Sequence, residues 1–154
     1  MATDAGTLVR EAYHLAEGNV LDAQGFVDLF TADGVFNMAG GASYRGEEIA
    51  EPLVRLAGMA PDIHRELQRF FVIGDVVAVE LAIQGTFTEP FHWPGGVIQP
   101  NGAKLDIPCA DFWYIENGKI KEFSCHASLD VLFRQVGGKT VFPSNDAASE
   151  AAHS

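Results

Sequence analysis

A carboxyl group and an imidazole lie in one strand-turn-strand stretch of the chain, CADFWYIENGKIKEFSCHA at residues 109–127. Asn117-Gly118 between two strand-like runs predicts a two-residue type I′ turn, which fixes how the strands pair. Counting outward from the turn gives the pairs Glu116–Lys119, Ile115–Ile120, Trp113–Glu122, Asp111–Ser124 and Cys109–His126. Because side chains alternate between faces, this register puts Asp111 and His126 on one face, about 7–8 Å apart on the diagonal. That pairing suits acid-base chemistry at the floor of a pocket.

Each of these two titratable residues has a functional and a structural interpretation. Asp111 lies in mid-strand between Ala110 and Phe112, where a carboxylate is disfavoured and costly to bury. It either acts as an acid or base, or it only holds His126 or a backbone amide. His126 is either a general acid or base whose pKa a neighbouring carboxylate would raise, or a strand-end histidine bonded to a backbone carbonyl. We predict that both residues are catalytic.

Apolar and small side chains are predicted to line the same pocket, although core packing would explain Trp113, Phe91 and Trp93 equally well. The predicted substrate-binding residues are Trp113, Cys109, Ser124, Phe91, Trp93, Met38, Val79 and Leu81. Tyr13 lies on or beside the apolar stripe of the first predicted helix. A tyrosine on such a stripe is more often a core residue with its hydroxyl at the rim.

The histidines and acids outside this hairpin do not form a metal-ligand motif. Pairing outward from the Gly74-Asp75 turn puts His64, Glu66 and Gln68 on the pocket face of their strand. A compact His or Cys spacing is missing from the sequence. We therefore expect no metal.

Hydrophobic periodicity places helices first and strands later. Helical spacing predicts helices over residues 7–17, from the N-cap Asp22 to the turn at 32–34, over 47–58, and from Ser128 through Val136. Strand-like runs cover 35–39, 64–73 and 76–88, and residues 89–103 form a long loop. Without alternating βαβ units, this order predicts an α+β fold in which a curved antiparallel sheet wraps the N-terminal helices and encloses an apolar pocket.

The composition bounds the class of protein. The chain has 154 residues, of which 47% are hydrophobic, so it can bury a substantial core. One domain is expected over residues 1–138, followed by a disordered tail at 139–154. A net charge of -11 with only ten Lys plus Arg argues against nucleic-acid binding.

The pattern of charges and apolar residues also argues against membrane insertion and secretion. No apolar stretch is long enough to cross a membrane, and the start, MATDAGTLVREAYHL, carries acids where a signal peptide has its basic region. We expect a soluble, cytoplasmic protein without membrane contact.

The predicted register also assigns the residues of the opposite hairpin face. Cys109 and Cys125 fall on opposite faces, so reduced thiols are expected and not a disulfide. The outer face would carry Phe112, Tyr114, Phe123 and Cys125, which is too apolar to leave in water. A homodimer packed through this face is therefore expected.

Three motifs near the end of the chain occur in an order that resembles a known superfamily. They are Pro100-Asn101-Gly102, a strand carrying Asp111-Phe112, and Asn117-Gly118-Lys119-Ile120. Together they are similar to the last hairpin of the nuclear transport factor 2-like superfamily, which includes ketosteroid isomerases, scytalone dehydratase, limonene epoxide hydrolase and SnoaL-type polyketide cyclases. The resemblance covers roughly residues 7–137 and implies a cone-shaped, cystatin-like α+β barrel. It also implies that Asp111 is the catalytic or oxyanion-binding acid and that Tyr13 points into the cavity.

The same resemblance narrows the reaction. The base position of ketosteroid isomerases falls on Met38, with Asn37 beside it, and the Asp-Arg-Asp set of limonene-type epoxide hydrolases is not evident. The remaining SnoaL-like pattern implies a cofactor-independent cyclase, isomerase or dehydratase for a hydrophobic carbonyl compound. Asp111 would be the acid/base, His126 its partner, and Tyr13 a hydrogen-bond donor to the enolate. The alternatives left open are a non-catalytic ligand-binding or dimerisation module of this fold and an epoxide hydrolase.

Overall fold

The computed structural model of the protein describes residues 4–38, 40–93 and 95–137. The predicted disordered tail at 139–154 and Ala39, the predicted end of the first strand, lie outside them. Within the described residues the chain forms four α-helices and eight β-strands, with the helices packed against one face of a curved, open sheet. The predicted α+β class is confirmed.

The first two helices begin at capping aspartates. Helix α1 (Ala5–Leu15) follows Asp4, whose carboxylate accepts a hydrogen bond from the Thr7 amide at 3.0 Å. Helix α2 (Ala23–Asp28) follows the predicted N-cap Asp22, which accepts one from the Gly25 amide at 2.9 Å. These side chains satisfy amides that the first turn of a helix leaves without a partner.

The other two helices flank the strands. Helix α3 (Glu51–Met59) follows a 3₁₀ turn at Gly46–Ala50 and carries Pro52 in its first turn, where the missing amide donor is not needed. Helix α4 (Leu129–Gln135) follows Ser128 at the end of the last strand. None of the helices in the described ranges is long and apolar enough to cross a membrane.

Six of the strands form one mixed sheet. The strands are β1 (Phe30–Met38), β2 (Ser43–Arg45), β3 (His64–Ile73), β4 (Val76–Thr86), β5 (Phe91–Trp93), β6 (Gly96–Ile98), β7 (Lys104–Glu116) and β8 (Lys119–Ala127). The sheet has the order β2-β1-β8-β7-β4-β3, and β1 runs parallel to β8 whereas the other neighbours are antiparallel. The β5–β6 pair is a separate small hairpin inside the predicted long loop.

A β-bulge in β8 changes which side chains of the last hairpin point inward. The predicted pairs next to the turn form, and Asn117 has a φ of 52°, in the left-handed region that a type I′ turn requires. The register then shifts, because Tyr114 pairs with Glu122 and leaves Lys121 without an opposite residue. Since a one-residue shift flips every later side chain, the predicted register is wrong beyond this point.

The shift exchanges the two faces of β8. Asp111 pairs with Cys125, and Trp113 pairs with Phe123 and stacks on it with ring centroids 3.7 Å apart. Phe123 and Cys125, predicted on the outer face, are buried in the core. Ser124 and His126, predicted on the inner face, point outward, and the imidazole is exposed.

A second bulge, in β3, has the same effect. Arg69 pairs with Glu80 and Leu67 pairs with Leu81, so that Gln68 has no opposite residue. Beyond this bulge, His64 and Glu66 lie on the outer face with exposed side chains, contrary to the prediction. Arg65 takes an inward position in their place.

The outer face of the sheet carries two rows of apolar side chains. Phe71 and Phe112 flank Ala78 in one cross-strand row, and Ile73 and Tyr114 flank Val76 in the next. Phe71 is 51% exposed and Ile73 is 71% exposed. A contiguous exposed apolar patch of this kind is typical of an interface.

We predict that the protein forms a homodimer through this patch. A lysine in the middle of the patch would place a charge in the interface, so Phe112→Lys should shift the sedimenting species toward the 16.6 kDa monomer. Val97→Lys is the matched control, because Val97 is 51% exposed but belongs to the separate β5–β6 hairpin. A wild-type protein that sediments as a monomer at micromolar concentration would contradict the dimer.

We also predict a pH-dependent contribution to stability from His64. Its Nδ1 lies 2.7 Å from a carboxylate oxygen of Glu17 and its Nε2 lies 2.8 Å from one of Glu66, and these hydrogen bonds raise the pKa of His64. A histidine with a raised folded-state pKa stabilises the fold fully below its ordinary value of 6.5 and loses that contribution as pH rises through the folded value.

Thermal melts of wild type and His64→Gln at about pH 6 and about pH 9 test this contribution. The variant should melt lower at the acidic pH, and the difference should narrow at the alkaline pH. The effect should be small because the imidazole is 46% exposed. A difference that stays constant with pH would show that charge on His64 is not involved.

Candidate functional site

A cavity of about 330 Å³ lies between the inner face of the sheet and the helices. Its walls are mainly apolar and include Phe26, Phe36, Leu53, Ile83, Ile107 and Leu132. Among the described residues, its charged lining groups are Asp111, Arg55 and Arg65. An apolar cavity with a few polar groups is typical of a small-molecule site.

Asp111 is the acid of this cavity, and its carboxyl group is held from two sides. It lies near the middle of β7 and is only 2% exposed. The hydroxyl of Tyr13 donates a hydrogen bond to Oδ2 at 2.7 Å, and the thiol of Cys109 donates one to Oδ1 at 3.2 Å. These contacts offset part of the cost of burying a carboxyl group.

Tyr13 connects Asp111 to an indole. The Nε1–H of Trp113 donates a hydrogen bond to the tyrosine oxygen at 3.1 Å, and the two rings meet edge to face with centroids 5.3 Å apart. A chain of hydrogen bonds therefore runs from Trp113 through Tyr13 to Asp111, and each bond polarises the next.

Burial sets the protonation of the cluster. It raises the pKa of Asp111 above its ordinary value of 3.8, although hydrogen bonds from Tyr13, Cys109 and Cys125 and the positive charge of Arg65 oppose the change. Burial and the neighbouring Asp111 carboxyl also raise the pKa of Tyr13, so the phenol keeps its proton. The cavity therefore favours the neutral form of Asp111 more than water does.

The predicted partnership of Asp111 with His126 is wrong. His126 pairs with Ala110 on the outer face, where its ring meets that of Phe112 edge to face at 5.7 Å. Ser124 also faces outward, with its hydroxyl 3.5 Å from a carboxylate oxygen of Glu122. Both errors follow from the bulge in β8.

The predicted wall residues fall into two groups. The cavity is lined by Trp113, Phe91, Trp93 and Met38. Val79 and Leu81 are buried opposite Asp111 and Cys109 in β4, but they do not line the cavity. Cys109 contacts Asp111 and is likewise not part of the lining.

The cavity lining includes two arginines that were not predicted from the sequence. Arg65 is turned inward by the bulge in β3, and Arg55 projects from α3. Arg65 could have been found from the spacing of apolar residues in β3, where Leu67 and Phe70 are three positions apart and break the alternation of an ideal strand. No comparable signal in the sequence identifies Arg55.

The two cysteines lie together, contrary to the prediction that they occupy opposite faces. Their sulfur atoms are 3.8 Å apart and both thiols are free. With Asp111 they form a buried group whose ligand atoms lie within 4.8 Å of one another, a donor set that would suit a thiolate-binding metal such as Zn²⁺. The hydrogen bond to Cys125 and burial raise the pKa of Cys109, which opposes metal binding because a metal requires the thiolate.

The family is identified by sequence comparison. The model of the SnoaL-like domain matches residues 9–123, a span that includes most of α1, strands β1 to β7 and the first half of β8. The chain therefore belongs to the SnoaL-like domain family, and the resemblance inferred from its motifs is confirmed. A comparison with curated proteins gives no match.

Solved structures share the fold. AclR, a candidate hydroxylase from Streptomyces galilaeus, is 17% identical with a TM-score of 0.72 over 96% of this chain and 88% of its own. IdmH, a candidate polyketide cyclase from Streptomyces antibioticus, is 19% identical with a TM-score of 0.70 over 88% and 99%. SalBIII, an epoxide hydrolase/cyclase-like enzyme in pyran ring formation, is 20% identical with a TM-score of 0.64 over 80% and 89%. At these identities the similarity establishes the ketosteroid isomerase-like and SnoaL-like fold alone.

We predict that Asp111→Asn becomes stabilising as pH rises. An asparagine can still accept the Tyr13 hydrogen bond and turn its amide toward the Cys109 sulfur. Burial raises the folded-state pKa of Asp111 above its ordinary value of 3.8. The contribution of the Asp111 carboxyl group to stability is therefore greatest below pH 3.8 and is lost as the pH rises through the folded-state pKa. The melting temperature of the variant relative to wild type should therefore increase by a few degrees between about pH 4 and about pH 8.

Asp106→Asn is the matched control for these melts, because Asp106 is exposed on the same strand. Its melting difference from wild type should not grow with pH in the same way. An Asp111→Asn variant that melts below wild type at every pH would mean that the carboxyl group mainly anchors the hairpin.

Proposed function

We propose that the protein is a cofactor-independent enzyme that moves a proton on a hydrophobic carbonyl compound, in a cyclisation, isomerisation or dehydration. The observation that carries the proposal is one buried carboxyl group, Asp111, held by Tyr13 at the wall of an apolar cavity. Its raised pKa brings it toward the range in which a single group can both accept and return a proton. Membership of the SnoaL-like family supports this class of enzyme.

The proposed step is proton transfer at the carbon beside the substrate carbonyl. In its ionised form Asp111 takes that proton, and the electrons of the C–H bond pass into an enolate. The neutral acid then returns the proton to another carbon in an isomerisation, or to a departing oxygen in a dehydration. In a cyclisation the enolate carbon attacks a second carbonyl of the same substrate, and the proton goes to the alkoxide that forms. These steps transfer protons and no net electrons. The substrate and the product therefore have the same overall oxidation state, and the reaction needs no redox partner.

Tyr13 has a different role from the one expected. Its proton points to Asp111 and its oxygen accepts from Trp113, so it is a positioning residue for the acid and not a donor to the enolate. With His126 on the outer face, the proposed acid-base unit is Asp111 supported by Tyr13. The hydrogen bond from Tyr13 stabilises the carboxylate and limits how far burial raises its pKa.

The two alternatives receive less support. Epoxide opening needs an acid and a water-activating base on opposite sides of the reacting carbon, whereas the described cavity lining contains one carboxyl group and no histidine. A non-catalytic binding module would keep the cavity, and the missing Asp-His pair is consistent with it. A carboxyl group buried in the cavity at a cost to stability favours catalysis, because a pure binding cavity has no need of a strained acid.

A model ketone tests the proposed chemistry without knowledge of the natural substrate. 2-Tetralone fits an apolar cavity and has acidic protons beside its carbonyl, and their exchange with D₂O is followed by proton NMR. Wild type should accelerate the exchange, and Asp111→Asn should reduce the catalysed rate by about 10²–10⁴-fold. Tyr13→Phe should reduce it less and move the pH profile to higher pH, because the carboxylate loses a stabilising donor.

His126→Gln is the control, since His126 faces away from the cavity, and it should exchange at the wild-type rate. Equal exchange by wild type and Asp111→Asn would contradict the proposal. Binding of the ketone with no acceleration by wild type would favour the binding module.

A further inference from the structure

The charge of the cavity opposes that of the whole chain. The protein carries a net charge of -11, yet the charged groups of the described cavity lining are two arginines and one acid. The two arginines outnumber the acid, and Asp111 is nearly fully buried, so positive charge predominates among the groups that a ligand meets. A cationic interior in an acidic protein favours an anionic ligand.

Arg65 has hydrogen-bonding capacity that the protein does not use. Its side chain is partly buried, and its Nη1 donates to the carbonyl of Ala16 at 2.9 Å. Within the described ranges, the side chain makes no other hydrogen bond and no ion pair with a carboxylate. A guanidinium has several further N–H donors in a planar fork that matches a carboxylate.

The contact with Ala16 places this fork close to the acid. Ala16 lies about one helical turn beyond Tyr13, and Tyr13 is the residue that binds Asp111. The positive charge of Arg65 acts on Asp111, which agrees with this placement. A ligand with an acidic group on Arg65 would therefore have its neighbouring carbon atoms near Asp111.

Arg55 lies where the cavity meets the surface. It lines both the main cavity and a shallow surface groove that Glu51, Glu89 and His92 also line. No ion-pair partner of Arg55 occurs in the part of the chain that the structure describes. With two carboxylates against one arginine the groove itself is not cationic, so the attraction for an anion belongs to the lining of the main cavity, where the two arginines outnumber Asp111.

We propose that the substrate is a hydrophobic keto acid whose carboxylate is bound by Arg65 and whose carbonyl lies at Asp111. This inference rests on the proposed function for the position of the carbonyl, but the binding of the carboxylate is independent of it. The rival explanation is structural, since an arginine also stabilises the C-terminal end of a helix through the last carbonyl groups. If Arg65 had only that structural role, the cavity would not need to bind acids more tightly than neutral ligands of the same shape.

A matched pair of ligands separates these explanations. 2-Naphthoate and 2-naphthamide have the same shape and differ in charge, and their binding is followed by quenching of the cavity tryptophans Trp113 and Trp93. Wild type should bind the carboxylate about tenfold to a hundredfold more tightly than the amide, the worth of a charged hydrogen bond. Equal affinities in wild type would overturn the proposal without any variant.

Variants of Arg65 then locate the preference. Arg65→Gln should bring the two affinities within about threefold, mainly by weakening the binding of the carboxylate. Arg65→Lys keeps a positive charge without the planar fork, and it should restore part of the preference. Arg69→Gln is the matched control, because Arg69 lies on the same strand but faces outward toward Glu80 at 3.8 Å. If a folded Arg65→Gln variant kept the full preference, the carboxylate site would not be Arg65.

The Asp111→Asn variant distinguishes failure of this inference from failure of the proposed function. It should retain the preference for naphthoate even though it no longer accelerates exchange of 2-tetralone. Loss of the preference in Asp111→Asn would mean that the carboxylate is not held by Arg65 alone. Retention of exchange in Asp111→Asn would contradict the acid-base role and leave the carboxylate site intact.

Discussion

The hydrogen bond between Tyr13 and Asp111 is the contact on which the site depends. It joins the first helix to the seventh strand, across 98 residues of sequence, and it gives a buried carboxyl group a hydrogen-bond partner at 2.7 Å. Without it, Oδ2 of Asp111 would lose its donor, at a cost of about 1–3 kcal/mol for an unsatisfied buried group. The same bond ties α1 to the sheet beside the buried apolar residues Leu8, Val9 and Ala12 of that helix. A shift of α1 on the sheet would therefore also move the hydroxyl group that holds Asp111.

Much of the fold follows from local patterns. The caps at Asp22 and Ser128, the turn at Asn117-Gly118 and the change from helical to strand periodicity all lie within a few residues of the elements they define. The parallel contact between β1 and β8 was not predictable in this way, because no local signal records which distant strand completes a sheet edge.

The two bulges account for most of the errors at the site, and both leave a trace in the sequence. In β8 the apolar residues Ile120 and Phe123 are three positions apart, and strict alternation would have turned Phe123 and Cys125 toward water. The free energy gained by burying these side chains exceeds the cost of interrupting the hydrogen-bond ladder. The strand therefore accommodates an extra residue as a bulge. Asp111 and Tyr13 were predictable because they precede or avoid the bulges. His126 was placed on the wrong face because it lies beyond one bulge. Arg65 lies beyond the other, and it is found only when the three-residue spacing of Leu67 and Phe70 is recognised.

The pairing of β1 with β8 has a consequence for the order of folding. Phe36 reaches Phe123 only after nearly the whole domain has been synthesised, and such distant contacts form late because the chain entropy of a large loop must be overcome first. Until β8 docks, the indole of Trp113 lacks the ring that covers it and the inner face of β7 is open to water. A nascent chain that stops before β8 exposes an apolar sheet face with a carboxyl group at its centre. Exposed apolar surfaces of this kind bind chaperones or aggregate.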